Sequence, residues 1–212
     1  MADHAADGLG YAWDILLSYG HDGTMDMWVP DHLVPFLKTF VGNAVNRPIS
    51  IFVDRSGISA GDAWPERLRN ALGRTRCLVA VWNPLYFHSD WCRQECAVMM
   101  HREKRMSYRT LTRPRGLIVP VNVYDGIFFP PPAQVIQTFD LQKYWIAGPA
   151  FRDSVLYVEF QTQLKVLAGQ IASAVAGAPP WEESFMDAAC LNVSTDDLMP
   201  PSSTNFAFPG TD

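Results

Sequence analysis

Four short apolar runs constrain this chain more than anything else in it: AWDILLSY (12–19), ISIFVD (49–54), RCLVAVW (76–82) and GLIVPVNVYD (116–125). They are nearly continuous rather than alternating, so a strand made from any of them has two faces to bury. Helical patterns separate them. Trp28, Leu33, Phe36, Leu37, Phe40 and Val41 recur at helical spacing over roughly 28–45, with Pro30 and Pro35 blurring the start. WPERLRNALGRT is a short helix with Pro65 near its first turn, another helix opens near Ser89, and Leu156, Phe160, Leu164, Leu167 and Ile171 form one stripe from Asp153 to about Ala176. FFPPPAQV is expected to be a loop, because three successive prolines exclude a helix interior, and FDLQKYW (139–145) a short edge strand. Strands alternating with helices give a parallel sheet, and right-handed crossovers make it doubly wound. The expected fold is a flavodoxin-like α/β sandwich, a central parallel five-stranded sheet with helices on both faces.

Three regions follow: an N-terminal extension (1–11), the α/β domain (12–177), and a tail (178–212) that turns polar after GAPP, expected to be flexible or docked on a partner. The net charge of -5 argues against nucleic-acid or anionic-membrane partners, which favour a basic field. The six basic residues between Arg102 and Arg115 read as a solvated helix end. No apolar run reaches the roughly 18 residues of a membrane span, and MADHAADGLG lacks the basic start and apolar core of a signal peptide, so a cytoplasmic location is expected. Cysteines 77, 92, 96 and 190 make no disulfide framework. His88, Cys92, Cys96 and His101 form a row that a soft metal would accept, but zinc pairs more often lie across a turn, and the cysteines read as small core residues. No phosphate loop, nucleophile elbow or H-E-x-x-H pattern is present. Asn83 at the end of the third strand, where a receiver domain needs aspartate, excludes a phosphoacceptor.

One segment is anomalous. SDWCRQECAVMM (89–100) opens as a helix, with Ser89 or Asp90 able to cap it, yet places Glu95 among Trp91, Cys92, Val98 and Met99. A carboxylate on an apolar stripe is costly unless it is paired or used. Arg102, two turns on, is a candidate structural ion partner. In sheets of this kind ligands bind beyond the carboxyl ends of the strands, which selects the loops SYGHDG, DRSGISAGD and NPLYFHSDW.

DILLSY, FVDRSGISAGDAWPERLRNAL and CLVAVWNPLYFHSDWCRQE, in this order and spacing, resemble the Toll/interleukin-1 receptor (TIR) domain family over about residues 12–176. They resemble in turn its opening strand, its second strand with the BB loop and following helix, and its third strand with the W-C-x-x-E segment. The pattern is closer to bacterial NAD-cleaving members than to animal receptors. Gly20 and His21 stand where many bacterial members have a basic residue, and Asp22 sits one place early for the acidic residue that closes that loop.

The resemblance implies an NAD+ nucleosidase that cleaves the nicotinamide–ribose bond, with Glu95 catalytic and Trp91 one turn before it as the aromatic wall. NAD+ is then substrate rather than resident cofactor, no metal is implied, and the product is ADP-ribose or a cyclic ADP-ribose-type signal. A bacterial antiviral effector activated by TIR–TIR self-association, triggered by a separate sensor or activator protein or small molecule, fits this reading. The alternative is a non-catalytic TIR adaptor that works by assembly alone. Ser18 and Tyr19 are candidate substrate-binding residues, Tyr19 equally a strand-end cap. Asp54 lies beside the site or caps its loop. Gly57 and Gly61 are candidate BB-loop hinges. Asp62 holds that loop or caps a helix starting at Trp64.

Overall fold

The computed structural model describes residues 10–53 and 66–201. Strands β1 (Trp13–Tyr19), β2 (Ile51–Val53), β3 (Thr75–Trp82), β4 (Ile118–Asn122) and β5 (Phe139–Asp140) form one sheet in the order β2-β1-β3-β4-β5, with every neighbouring pair parallel. The helices are α1 (Met25–Trp28), α2 (Val34–Val45), α3 (Glu66–Gly73), α4 (Asp90–Arg105), α5 (Pro131–Gln134), α6 (Val155–Ala176) and α7 (Ala188–Leu191). This is the expected parallel sandwich.

The continuous apolar runs hide a period of two. Ile15, Leu17, Tyr19, Cys77, Val79 and Val81 pack with Leu37, Val41, Leu164 and Leu167 on the α2–α6 side. Leu16, Leu78, Ala80 and Trp82 pack with Leu68, Leu72, Cys96 and Met99 on the α3–α4 side. The chain leaves β1 toward β2 on one side and continues to β3 on the other, so strand order reverses at β1 and β3. Their carboxyl ends bound the crevice where such sheets take ligands.

The prolines act locally. The helical region begins at Met25 rather than near 28, and widens into a π-helical turn at Val29–Leu33 before α2. Pro30 and Pro35 supply no amide to the ladder of a helical run that continues from Met25 to Val45, and the π-helical turn lies where they interrupt it. A proline at a helix start needs no such adjustment, which corrects the expected proline loop: Pro130 is the cap and Pro131 the first residue of one-turn α5, with the third proline, Pro132, behind it.

Pro120 lies inside β4. The Val123 amide bonds Trp82 O on β3, and the Leu141 amide bonds Asn122 O on the β5 side. Alternation therefore turns Pro120 and Ile118 toward β5, which pairs only with Val121 and Asn122. Pro120 faces a gap where no donor is required.

Two buried carboxylates lock the amino end of the sheet. Asp14 accepts from Arg47 at 2.6 and 2.8 Å and from the Ser50 amide at 3.0 Å, stapling the start of β1 to the approach of β2. Glu103, on the last turn of α4, accepts from the Leu117 and Ile118 amides and from Arg109 Nε at 2.6 Å. Arg109 adopts a left-handed backbone with φ of 56° to reach it. Gly116 leaves the space, since a Cβ there would strike both Glu103 and Arg109.

Arg102 is not the partner of Glu95. It is buried and donates to Leu72 O and Thr75 O, each at 2.8 Å, closing the carboxyl end of α3. The basic stretch from Arg102 to Arg115 is thus only partly a solvated helix end.

Residues 178–201, left in sequence as flexible or partner-docked, lie against α3, α4 and α5 of their own chain. Phe185, Leu191 and Leu198 are buried there, and Phe185 carries the Arg102 guanidinium 4.4 Å above its ring. Trp181 Nε1 donates to Gly73 O at 3.1 Å, and Gln94 Nε2 donates to Leu191 O and Val193 O. The scattered apolar residues of this segment complete a core. Among the described residues, no helix is long and apolar enough to cross a membrane.

Candidate functional site

The crevice is built from one strand end, one turn and one helix. Asn83 follows β3, and its side chain accepts from the Tyr86 amide at 2.8 Å, capping the 3-10 turn Pro84–His88. That turn buries Tyr86 and Phe87 against Trp82. Ser89 then caps α4, its hydroxyl accepting from the Cys92 amide at 3.4 Å, which bears out the helix start read from sequence. Arg93 fixes the same corner by donating to Phe87 O at 2.8 Å and pairing with Asp90.

Ser18, next to the end of β1, shares the face of Leu16 and points toward α4. Its hydroxyl lies 2.9 Å from the Tyr86 hydroxyl, and both are buried. Cys92, on the first turn of α4, lies within reach of the same hydroxyl. One small hydroxyl thus ties β1 to the Asn83-capped turn that leads into α4. Glu95 is 6 % exposed, one turn beyond half-buried Trp91, within electrostatic reach of Tyr86, Cys92 and Cys96.

The electrostatics sort these groups. Burial pushes the Tyr86 hydroxyl well above its ordinary value, and Cys96, Cys92 and Glu95 add to the rise. Burial and then Glu95 push Cys92 up to about 12, and burial raises Cys96 as well. At neutral pH the phenol and both thiols are therefore protonated, unsuited to act as bases or nucleophiles. Glu95 is the carboxylate that acts on this phenol and these thiols.

Tyr19 belongs to the other face. Its ring packs on the α2–α6 side, 4.7 Å from the His21 ring, while Ser18 turns to α4. His21 in turn sits 2.6 Å from Asp26, and Asp22 accepts from the Thr24 and Met25 amides at the start of α1. The early acidic residue of this loop is a helix-start acceptor. Asp54, Gly57, Gly61, Asp62 and Trp64 lie outside the described residues. Among the described residues no three His, Cys, Asp or Glu side chains gather as metal ligands: His88 is exposed at the end of its turn, and Cys92 and Cys96 face the core.

Tyr86 and Asn83 were missed as site residues in sequence. Asn-Pro followed two residues on by tyrosine signals a capped turn, but not that the tyrosine hydroxyl reaches β1.

No curated protein matches the chain. Among solved structures, the TIR domain of the Toll-related receptor TRR-2 from Hydra magnipapillata is similar at 16% identity, covering 71% of this chain and 98% of that one, with a TM-score of 0.40. The TIR domains of the activated Roq1 resistosome, which directly recognises the effector XopQ, are similar at 16% identity over 79% of this chain and 86% of that one, TM-score 0.36. The TIR-domain family model matches residues 15–153, from β1 to the approach of α6 and more than half of the sequence. The chain belongs to the TIR-domain family.

Proposed function

We propose that this TIR domain is an NAD+ nucleosidase of the bacterial NAD-cleaving type, with Glu95 as its catalytic carboxylate. The observation that carries the reading is Glu95 itself, buried among neutral hydroxyls and thiols one turn from Trp91, at the strand ends where the sheet reverses order. Nicotinamide in NAD+ is a cationic pyridinium and leaves as a neutral molecule, so no second carboxyl acid is required, unlike the usual glycosidase pair. The chemistry needs a negative charge beside the ribose as oxocarbenium character develops. A carboxylate in a poorly hydrated pocket interacts with that charge more strongly than one in water. Trp91 supplies an aromatic wall that excludes water. The Ser18–Tyr86 contact ties the strand end to the turn that leads into α4, so Glu95 need not reorganise during the reaction.

Activity is switched on when copies assemble through TIR–TIR contacts, in response to a separate sensor or activator protein or a small molecule, and the proposed role is bacterial antiviral defence. Water and ligand hydroxyls compete for the same ribosyl electrophile, so ADP-ribose and a cyclic product are alternative ends of one pathway. The test is mass spectrometry of NAD+ incubated with the chain at low concentration and under crowding. Nicotinamide with ADP-ribose or its cyclic form, absent with Glu95→Ala, supports the proposal. Assembly without NAD+ turnover in wild type and Glu95→Ala alike assigns the chain to the adaptor class instead.

A further inference from the structure

A structural irregularity lies at the opposite end of the sheet from the crevice. β5 pairs only with Val121 and Asn122, so among the described residues the lower half of β4 has no strand beside it on that side. α6, the loop before β4 and the residues entering β5 frame the space a longer β5 would fill, leaving a cavity of about 380 Å³. That volume lies within the range of small-molecule sites, roughly 300–1,000 Å³.

The cavity does not suit a peptide strand. Strand addition needs free edge amides and carbonyls. Here the Ile118 amide is taken by Glu103, the Ile118 carbonyl by Arg109 at 3.0 Å, and Pro120 has no amide to give. The edge is chemically closed while the space beside it stays open.

The walls favour an anion. Arg109, Arg115, Gln137, Thr138, Gln170 and Ser173 line the cavity, and among the described residues no aspartate or glutamate does, in a chain of net charge -5. Glu103 neutralises Arg109 from behind, with its oxygens turned to Arg109 and the Leu117 and Ile118 amides. Arg115 makes no ion pair among the described residues and leaves the wall with one uncompensated positive charge. Gly169 on α6 opens the opposite wall, since a Cβ there would meet nothing. Gln137, Thr138 and Gln170 present neutral donors around this cation, an arrangement suited to the oxygens of a phosphate monoester.

We infer that this cavity, between the open edge of β4 and α6, is a second ligand site that takes a small phosphorylated molecule, far from the Glu95 crevice. It does not depend on the NAD+ reading. The probe is ribose 5-phosphate, with inorganic phosphate as the minimal fragment, titrated into the full chain at low salt and followed by calorimetry and by backbone amide shifts. Saturable one-to-one binding is expected, with the largest shifts at Gly116, Thr138 and Gln170. Arg115 and Gln170 are exposed, so Arg115→Glu and Gln170→Glu fold normally and weaken binding about tenfold or more, the scale of a lost charge-assisted contact. Lys38→Glu, an equal charge change on α2, leaves it unchanged. Glu95→Ala also leaves it unchanged, which separates this site from the crevice. The inference is overturned if binding is not saturable, if Lys38→Glu weakens it as much as Arg115→Glu, or if the shifts map to the Ser18–Tyr86 end.

Discussion

The two ends of the sheet bury carboxylates in opposite surroundings. At the amino end, Asp14 and Glu103 are each held by a guanidinium and by backbone amides, and each closes a seam: β1 to β2, α4 to β4. At the carboxyl end, the groups that Glu95 acts on are the neutral hydroxyl of Tyr86 and the thiols of Cys92 and Cys96, and its charge helps keep them protonated. A carboxylate buried for stability is surrounded by donors it neutralises. Glu95 is set instead beside a phenol and thiols that burial keeps neutral.

That contrast is most exposed to failure at Glu103. Glu103→Ala leaves Arg109 and two amides without their acceptor and should destabilise the fold by about 3–5 kcal/mol, read as a shift in the urea midpoint. Glu95→Gln should move the same midpoint by less than about 1 kcal/mol. If the two variants lose stability equally, the division between the ends is wrong.

Tyr86→Phe comes next. It removes the bond to the Ser18 hydroxyl inside the crevice, and about 1–2 kcal/mol of stability should go with it. NAD+ turnover should fall further than that loss explains, because the turn leading into α4 is then less firmly set against β1. Unchanged turnover would reduce the contact to packing.

A pH series sharpens the amino-end half. Burial alone would raise the Asp14 carboxyl, but the hydrogen bonds from Arg47 and Ser50 and the charges of Arg47 and Arg76 outweigh it and hold the folded value below the ordinary one. The unfolded chain then binds the proton more readily, so this stabilisation is complete at neutral pH. It is lost as pH falls below the ordinary carboxylate range, about 4, and through the folded value. Asp14→Asn should be less stable than wild type at pH 7, and should lose less on going from pH 5 to pH 3. Parallel curves would contradict the assignment. A further small effect belongs to the α4 cap: Ser89→Ala should cost about 1 kcal/mol by thermal unfolding.

Much of this was legible in the sequence, for physical reasons that differ by element. Runs such as RCLVAVW state that a strand is covered on both sides, whatever covers it, so the parallel sandwich followed. The cap at Ser89 and the oddity of Glu95 are local, readable from neighbours three and four residues away. Arg102 was misassigned because its partners, Leu72 O and Thr75 O, are backbone carbonyls that sequence spacing does not reveal. Tyr19 and Ser18 are adjacent in sequence yet face opposite sides of the sheet, and only the register of β1 decides which meets α4. The prolines of α5 were read as helix breakers when their position, at a helix start, makes them tolerated. The docking of residues 178–201 rests on a few buried apolar side chains and on Gln94, none of which forms a periodic signal.

The central claim is that Glu95 is a catalytic rather than a structural carboxylate. The direct measurement is nicotinamide release from NAD+ by wild type and Glu95→Gln, each under conditions that promote assembly, with unfolding midpoints recorded on the same preparations. The account predicts release by wild type, none above background for Glu95→Gln, and matched midpoints. Full release by Glu95→Gln, or no release by wild type in any assembly state, would contradict it.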